Sequence, residues 1–378
     1  MTATRQVPFY RHHLGAAEKA QVAEVIDSLF LTTGPKTAEA ERQIAAYFGV
    51  DHCLGVMSAT TALFLCLKAW GVGEGDEVIT TPMTFIASAN TVLHCGAKPV
   101  FVDVEADTGN MDAERLERAI TPRTKAIMPV HLYGQQCDMR AIRSIADRHG
   151  LKVVEDCAHA FESMRDGVQP AQLGDAACFS FYATKNVACG EGGAIATRDS
   201  ALNEQLKLLR LHGMSKSAYD RYTGTYKHWD MVELGYKANM FDLQAALLLP
   251  QFPGIAERLA RRERLAAIYD AELLTIPGVE RPVVKPNSRH ARHLYTIWAP
   301  EQRRDEILQR LQDRGIGVAV NFRAIHLLSY YVEKFGYKRG DFPIAERIGD
   351  RTISLPMYPN LPEDDAHYVA SVLRDVVA

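Results

Sequence analysis

The chain has 378 residues, of which 47% are hydrophobic and 24% are charged, and its formal net charge at pH 7 is −3. This composition is typical of a soluble globular protein and excludes the disordered and fibrous classes. A charge so close to balance gives no reason to expect nucleic acid or a membrane surface as a partner. The length exceeds that of a usual single core and predicts two domains.

The cysteines and the N-terminal residues indicate a compartment. The seven cysteines stand singly, without a CxxC pair, and their odd number argues against a secreted disulfide framework. The opening residues MTATRQVPFYRHH lack the apolar core of a signal peptide, and no stretch approaches the roughly 18 apolar residues of a transmembrane helix. The sequence therefore predicts a cytoplasmic protein.

Between about residues 50 and 200, short β-branched segments alternate with helical ones. The predicted strands are CLGVMS, DEVITT, KPVFVDV, TKAIMPVHL, KVVEDCA and ACFSFY. Two of the helices between them are TTALFLCLKAWG and MRAIRSIADRHG, each of which stops at glycine. This alternation is typical of βαβ units and of a mostly parallel sheet.

After about residue 200 the helical segments become longer, as in ALNEQLKLLRLHG and in the stretch from FDLQ to DAEL. Pro250 and Pro253 are predicted to interrupt the latter. Strand and helix patterns mix again in HLYTIWAP, RRDEILQRLQDRGIGV and EDDAHYVASVLRDVV. We therefore predict a large domain over residues 1–248 and a smaller C-terminal α/β domain over residues 249–378.

Two points between strand and helix patterns are candidates for ligand binding. Ser58, Ala59 and Thr60 open a predicted helix, where free backbone amides could bind a phosphate, although N-capping by Ser58 explains the same pattern. Asp156 ends a β-rich run, and in open α/β sheets ligands bind at the carboxyl ends of strands. A simple cap of the following turn explains Asp156 as well.

Lys185 lies between the aromatic segment FSFY and the glycines of CGEGG. A surface lysine needs no such setting, so burial for chemistry is one interpretation. The glycines match neither GxGxxG nor GxxxxGK[ST], which leaves a nucleotide loop of either type unsupported and favours a tight turn that holds the lysine. We predict no metal site.

Together these features match the needs of one cofactor, pyridoxal 5'-phosphate (PLP). Its aldehyde forms a Schiff base with a lysine, its pyridine nitrogen pairs with an anion, and its phosphate accepts hydrogen bonds from backbone amides. The sequence supplies a lysine, an acid at a strand end and a helix start. PLP is therefore the predicted cofactor.

The chain resembles the DegT/DnrJ/EryC1/StrS family of sugar aminotransferases, which are fold type I PLP enzymes with a mostly parallel, seven-stranded type of sheet. Nearly the whole chain carries the resemblance. The matching segments, in family order, are SATTAL, GVGEGDEVIT, TFIASAN, GAKPVFVDV, PVHLYGQ, EDCAHA, FSFYATKN with GEGG, LGYKANM, LQAAL and SLPMYP. Several matches in order are more specific than any one of them.

The resemblance implies roles for individual cofactor residues. Lys185 matches the Schiff-base lysine, Asp156 matches the acid that pairs with the pyridine nitrogen, and His159 matches a residue near the phenolic oxygen. These are the three predicted catalytic residues. Phe85 matches the aromatic residue that stacks on the cofactor ring. The residues that match the phosphate contacts are Ser58, Ala59, Thr60 and Ser180.

The resemblance also extends to the partner subunit and the substrate. Asn239 matches a residue that reaches the phosphate bound by the neighbouring subunit, which implies a homodimer with a shared active site. In NFRAIHLLSYY, Arg323 and His326 are expected to meet a sugar nucleotide or the donor carboxylate, because a guanidinium suits anion binding. Asn321 stands where many relatives carry histidine or tyrosine, so its role is open.

The implied activity is transfer of an amino group from L-glutamate to a nucleotide-linked keto sugar with ping-pong kinetics. The expected acceptor is a UDP-linked 4-keto-6-deoxy sugar that is aminated at C4; a dTDP-linked 3-keto sugar and a keto-cyclitol remain open. The sugar dehydratase branch of the family carries histidine at the lysine position, so Lys185 disfavours it. Lys185, Asp156 and Ser180 together argue against a non-catalytic binding protein.

Overall fold

The structure is a computed structural model that describes residues 5–215 and 228–378. A seven-stranded sheet, accompanied by two short two-stranded sheets, organises it. The strands, numbered along the chain, are β1 His52–Val56, β2 Glu77–Thr80, β3 Lys98–Phe101, β4 Thr124–Ile127, β5 Lys152–Asp156, β6 Met164–Arg165, β7 Ala176–Ser180, β8 Gly193–Thr197, β9 Ser288–Arg289, β10 Tyr295–Trp298 and β11 Thr352–Leu355.

The strand order across the large sheet is β1-β8-β7-β5-β4-β2-β3. Strands β3, β2, β4, β5 and β7 run parallel, as the alternating sequence pattern predicted, and β8 is antiparallel to both of its neighbours. Strand β8, with the sequence GAIAT, was not among the predicted strands. Glycine and alanine have low strand propensity, so the sequence of this segment gives little indication of a strand. Its pairing with β1 and β7 stabilises the strand in the folded chain.

The helices, numbered along the described chain, are α1 Ala16–Ile26, α2 Pro35–Phe48, α3 Ala59–Ala69, α4 Ala87–His94, α5 Ala113–Leu116, α6 Met139–His149, α7 Ser200–Leu209, α8 Asp242–Leu248, α9 Ile255–Leu273, α10 Arg304–Asp313, α11 Ser329–Phe335, α12 Pro343–Arg351 and α13 Glu363–Val377. Local signals explain their ends. Asp138 caps α6 by accepting from the Ala141 amide, and Gly150 ends it with a left-handed φ of 63°. Pro250 and Pro253 lie in a 3₁₀ segment, Leu249–Gly254, between α8 and α9, as predicted.

Successive residues of the central strands pack on opposite faces of the sheet, because side chains alternate along a strand. Cys178 and Ile195 belong to the core that contains Leu63 of α3. Phe179 belongs to a second core together with Phe48 of α2. Within the described residues the sheet is therefore covered on both faces, and ligands are expected to bind at the strand ends.

The C-terminal part has its own core, in which the antiparallel pair β10–β11 packs with α9, α10 and α13. Val7 also lies in this core, since it pairs with Ile316 by a parallel bridge. The N-terminal residues therefore pack with the later part of the chain, although the prediction grouped them with residues 1–248. The division at residues 248 and 249 itself stays a prediction.

Two further sequence predictions concern cysteines and membrane spans. All seven cysteines are buried and unpaired. Within the described residues, every helix is too short or too polar to span a bilayer. The cytoplasm as the compartment stays a prediction.

Candidate active site

A cavity of about 520 Å³ opens beside the carboxyl ends of β5 and β7. Its walls bring together every predicted cofactor contact except Asn239. These residues are Ser58, Ala59, Thr60, Phe85, Asp156, His159, Ser180 and Lys185. Residues more than 120 positions apart in the sequence thus share one pocket.

Lys185 lies in the loop that connects β7 to β8. Its amide donates to the Tyr182 carbonyl at 2.9 Å, and the Ala183 amide donates to the Gly190 carbonyl at 2.9 Å. Gly190 has a φ of 88°, a backbone conformation that glycine adopts without strain, so the predicted tight turn is present here. Burial lowers the pKa of Lys185 to about 8 even though the charge of Asp156 raises it.

Asp156 ends β5 and is 6% exposed. Its Oδ2 accepts a hydrogen bond from Ser88 Oγ at 2.8 Å, and its Oδ1 accepts from the Ala158 amide at 3.1 Å. The carboxylate therefore caps the following turn and also lines the cavity, so the two interpretations from the sequence are compatible. Ser88, a residue the sequence analysis did not single out, fixes its orientation.

The start of helix α3 forms another wall. Ser58 Oγ accepts from the Thr61 amide at 3.1 Å, so the predicted N-cap is real. The backbone amides of Ala59 and Thr60 lie in the first turn of the helix, where an amide has no intrahelical carbonyl to bind. They therefore remain available to an anion. A Cβ on Gly193 would lie 2.4 Å from the carbonyl carbon of Ser58 and 2.7 Å from the Ala59 nitrogen. Only glycine lets β8 lie this close to the helix start.

His159 and two phenylalanines form the apolar side of the cavity. The His159 Nδ1 accepts from the Tyr133 amide at 3.3 Å, so in the neutral ring Nε2 carries the proton and can donate. Burial, followed by the charge of Lys185, holds the pKa of His159 well below its usual value. The His159 ring stacks on the Phe322 ring with centroids 5.8 Å apart. The centroids of the Phe85 and Phe322 rings are 5.9 Å apart.

His293 reaches the same cavity, and sequence reasoning missed it. Its Nε2 lies 3.4 Å from Lys185 Nζ, and burial, followed by the charge of Lys185, holds the pKa of His293 well below its usual value. A single histidine at the start of the segment HLYTIWAP gives no functional signal. Phe9 and Tyr10 also line the cavity, because the pairing of Val7 with Ile316 carries the N-terminal segment across it.

The structure places three predicted residues outside the cavity. Asn239 is buried, with Nδ2 donating to Thr33 Oγ1 at 2.7 Å and Oδ1 accepting from Lys237 Nζ at 2.7 Å. Its contact with a partner subunit stays a prediction. Arg323 is exposed and does not line the cavity of its own chain.

His326 also lies away from the cavity of its own chain, and its contact with the substrate stays a prediction. The side chain has no exposed surface, and its Nε2 lies 3.0 Å from Glu346 Oε1. It packs against Phe342 in the interior, with ring centroids 4.8 Å apart. Of this segment, Asn321 and Phe322 line the cavity instead.

A second group of titratable side chains lies in the interior. His131, Glu155 and Cys157 have potential metal-ligand atoms within 4.8 Å of one another. Their hydrogen-bonding capacity is used inside the protein: His131 Nε2 pairs with Glu155 Oε2 at 2.8 Å, and Glu155 Oε1 accepts from the amides of Ala171 and Gly174. This pairing gives the group a structural explanation.

The walls of the cavity fit PLP. An amine with a lowered pKa, a fixed carboxylate and a helix start with free amides provide for the aldehyde, the pyridine nitrogen and the phosphate respectively. The close approach of Gly193 to Ser58 keeps the helix start accessible as an anion cradle. The residues that would hold the cofactor are Ser58, Ala59, Thr60, Phe85, Asp156, His159, Ser180 and Lys185.

Comparisons with known proteins show what this chain is similar to. Residues 12–374 match the DegT/DnrJ/EryC1/StrS aminotransferase family. The spore coat polysaccharide biosynthesis protein SpsC of Bacillus subtilis (strain 168) is 46% identical over 377 residues, which are 98% of this chain and 97% of SpsC.

Two solved structures extend the comparison to the fold. DesV from S. venezuelae superposes with a TM-score of 0.92 at 37% identity, covering 99% of both chains. Spr1654 from Streptococcus pneumoniae, assigned as a sugar aminotransferase and solved in its PLP form, has a TM-score of 0.92 at 31% identity over 99% of both chains. The predicted fold type I architecture is thereby confirmed.

Proposed function

The chain belongs to the DegT/DnrJ/EryC1/StrS aminotransferase family, and from that premise we propose that it is a PLP-dependent aminotransferase acting on a nucleotide-linked keto sugar. The amino donor is L-glutamate. The observation that carries the proposal is the shared cavity of Lys185, Asp156 and the helix start at Ser58. When bound there, PLP would supply an electron sink for cleavage of the C–H bond at the donor's α-carbon.

Lys185 supplies the amine and the proton chemistry. With a pKa of about 8, roughly a tenth of the amine is neutral at pH 7, compared with a far smaller fraction for an ordinary lysine. The neutral amine can attack a carbonyl. Once released, it can take the proton from the donor's α-carbon in the first half of the reaction and deliver a proton to the acceptor carbon that receives nitrogen in the second half.

The other residues hold charge and orientation. Asp156, fixed by Ser88 Oγ and the Ala158 amide, presents a negative charge that would keep a pyridine nitrogen protonated. His159 presents an Nε2–H donor for an anionic oxygen. Ser180 and the amides of Ala59 and Thr60 offer donors for a phosphate.

The expected acceptor is a UDP-linked 4-keto-6-deoxy sugar that is aminated at C4. The resemblance of the GYKANM and NFRAIH segments to relatives with that activity supports it, and Asn321 is the polar residue of the second segment that lines the cavity. A dTDP-linked 3-keto sugar is the second candidate, because the donor half of the reaction is the same. A panel of keto sugars with both nucleotides, analysed by mass spectrometry of the products, distinguishes the two.

The proposed reaction has a definite order of substrates. Donor and acceptor would use the same Lys185, so the donor product leaves before the acceptor binds, and kinetics should be ping-pong. Initial rates at several acceptor concentrations should give parallel double-reciprocal lines. L-glutamate alone should release a stoichiometric amount of 2-oxoglutarate per cofactor. Intersecting lines, or no release without the acceptor, would contradict this order.

A homodimer with a shared site is part of the proposal. Leu29 and Leu234 are 76% and 77% exposed, and the segments that follow them are joined by the bond from Asn239 to Thr33. Exposed apolar side chains on adjoining segments favour a protein interface. If Asn239 acts across that interface, mixing inactive Lys185→Ala and Asn239→Ala chains should restore activity in the mixed dimer. A protein that is monomeric in solution, or a mixture that stays inactive, would refute the shared active site.

A further inference from the structure

Lys185 Nζ has a neighbour to which the proposed reaction gives no role. His293 Nε2 lies 3.4 Å away, and the imidazole is buried at the wall of the cavity. His293 lies two residues before strand β10 of the C-terminal part, whereas Lys185 belongs to a loop of the large sheet. The contact therefore joins two distant parts of the fold at the reacting amine.

Asn186 determines which nitrogen of His293 carries the proton. Its Nδ2 donates to Glu162 Oε2 at 2.8 Å and to the Ala291 carbonyl at 2.8 Å. Both partners can only accept, so the amide has one possible orientation. Asn186 Oδ1 then accepts from His293 Nδ1 at 3.2 Å. The neutral imidazole consequently presents Nε2 to Lys185 as a hydrogen-bond acceptor.

The surroundings keep this imidazole neutral. Glu162 is itself buried and is paired with Arg262 Nη2, and the positive charge of Arg262 offsets the effect of the Glu162 carboxylate on the His293 imidazole. Burial, followed by the charge of Lys185, lowers the pKa of His293. The titratable and charged groups around the Lys185–His293 pair are Asp156, His159, Glu162, Arg262 and His290.

We propose that His293 is a positioning residue for Lys185, accepting a hydrogen bond from its ammonium group and holding Nζ and its proton at the cavity wall. This inference rests on the proposed function, because the position of Lys185 matters only if its amine reacts. A neutral acceptor stabilises the charged form of the amine. His293 therefore keeps the proton affinity of Lys185 higher than burial alone would set it.

The test measures the proton affinity of Lys185 directly in the full-length, cofactor-free protein. Trace labelling with acetic anhydride at a series of pH values, followed by mass spectrometry of the Lys185 peptide, gives the labelling midpoint. His293→Phe removes the acceptor and should lower the midpoint by roughly half to one pH unit, since the hydrogen bond at 3.4 Å is long. His293→Gln keeps an acceptor oxygen and should restore most of the shift.

His290→Phe is the matched control. His290 is also buried, its Nδ1 accepts from the Arg292 amide, and it does not line the cavity, so its substitution should leave the midpoint unchanged. If His293→Phe does not fold, His293→Leu serves in its place. A midpoint that stays put or rises in the His293 variants, or a glutamine variant that behaves like phenylalanine, would overturn the inference.

Failure of this inference can be separated from failure of the proposed function. Covalent attachment of PLP to Lys185 is measured in the same wild-type preparation by borohydride reduction and mass spectrometry. Normal attachment with unshifted midpoints in the His293 variants would reject only the positioning role. Absent attachment would reject the cofactor proposal and with it the catalytic meaning of the pair, whatever the midpoints show.

Discussion

Gly193→Ala is the substitution that tests the phosphate cradle. The new Cβ would lie 2.4 Å from the carbonyl carbon of Ser58 and 2.7 Å from both the Ser58 oxygen and the Ala59 nitrogen. These neighbours are backbone atoms, which cannot rotate away as a side-chain tip can. Ordinary contact would require β8 and the start of α3 to separate by about 1 Å in an interior that is closely packed.

Two effects of different size follow from that separation. Overpacking of this kind costs about 1–3 kcal/mol, which for a chain of this length lowers Tm by roughly 1–4 °C. Displacement of the amides of Ala59 and Thr60 would lose at least one charge-assisted hydrogen bond to a phosphate, worth about 1.5–3 kcal/mol. We therefore expect the dissociation constant for PLP to rise by about 10- to 100-fold.

The assay combines thermal unfolding with titration of the cofactor-free protein by PLP. Gly73→Ala is the matched control, because a Cβ there meets its nearest atoms, the Cys95 and Gly71 carbonyl oxygens, at an ordinary 4.0 Å. A folded Gly193→Ala protein that binds PLP as tightly as wild type would refute the assignment of the phosphate to this helix start. Equal effects of the two substitutions on binding would refute it as well.

Three further outcomes are expected. The Asp156→Asn protein should still attach PLP at Lys185 but release 2-oxoglutarate from L-glutamate about 10²–10³ times more slowly, because a neutral amide cannot stabilise the protonated pyridine ring. An unchanged rate would contradict this role of Asp156. In the cofactor-free protein, acetic anhydride labelling of Lys185 should level off above pH 9, whereas the labelling of an exposed lysine should continue to increase. Because folding lowers the pKa of Lys185 from 10.5 to about 8, the unfolded chain binds more protons between these values, and the free energy of unfolding should increase from pH 8 to pH 10.5. A Lys185 profile that follows the exposed lysines would contradict the lowered pKa. His326→Ala should destabilise the fold by about 1–3 kcal/mol in denaturant titrations and leave PLP attachment intact, because the side chain serves a buried pair with Glu346; loss of attachment in a folded variant would favour a role at the site.

The parts of the fold with strong local signals were predictable. The alternation of strand and helix patterns gave the parallel strands β2 to β5 and β7, and Pro250 and Pro253 gave the break between α8 and α9. Strand β8 was missed because GAIAT has little strand propensity of its own. Its pairing with β1 and β7 is a tertiary effect that no short window of sequence contains.

The residues of the candidate site also differ in how far the sequence predicts them. Asp156 stands out because it ends a strand pattern and Lys185 because it follows one, and the family resemblance adds Ser180 and Phe85. His293 has no comparable signal, since only the folded chain brings it within 3.4 Å of Lys185 Nζ. The resemblance suggests a substrate contact for His326, but in this chain the side chain is buried against Phe342 and Glu346, so that contact stays a prediction.

Covalent binding of PLP by Lys185 can be tested by reductive trapping. Wild-type and Lys185→Ala proteins are incubated with PLP, reduced with borohydride and mapped by tandem mass spectrometry. We expect a pyridoxyl group on the Lys185 peptide of the wild type and none on the same peptide of the variant. An unlabelled Lys185, or labelling spread over surface lysines to the same extent in both proteins, would contradict it.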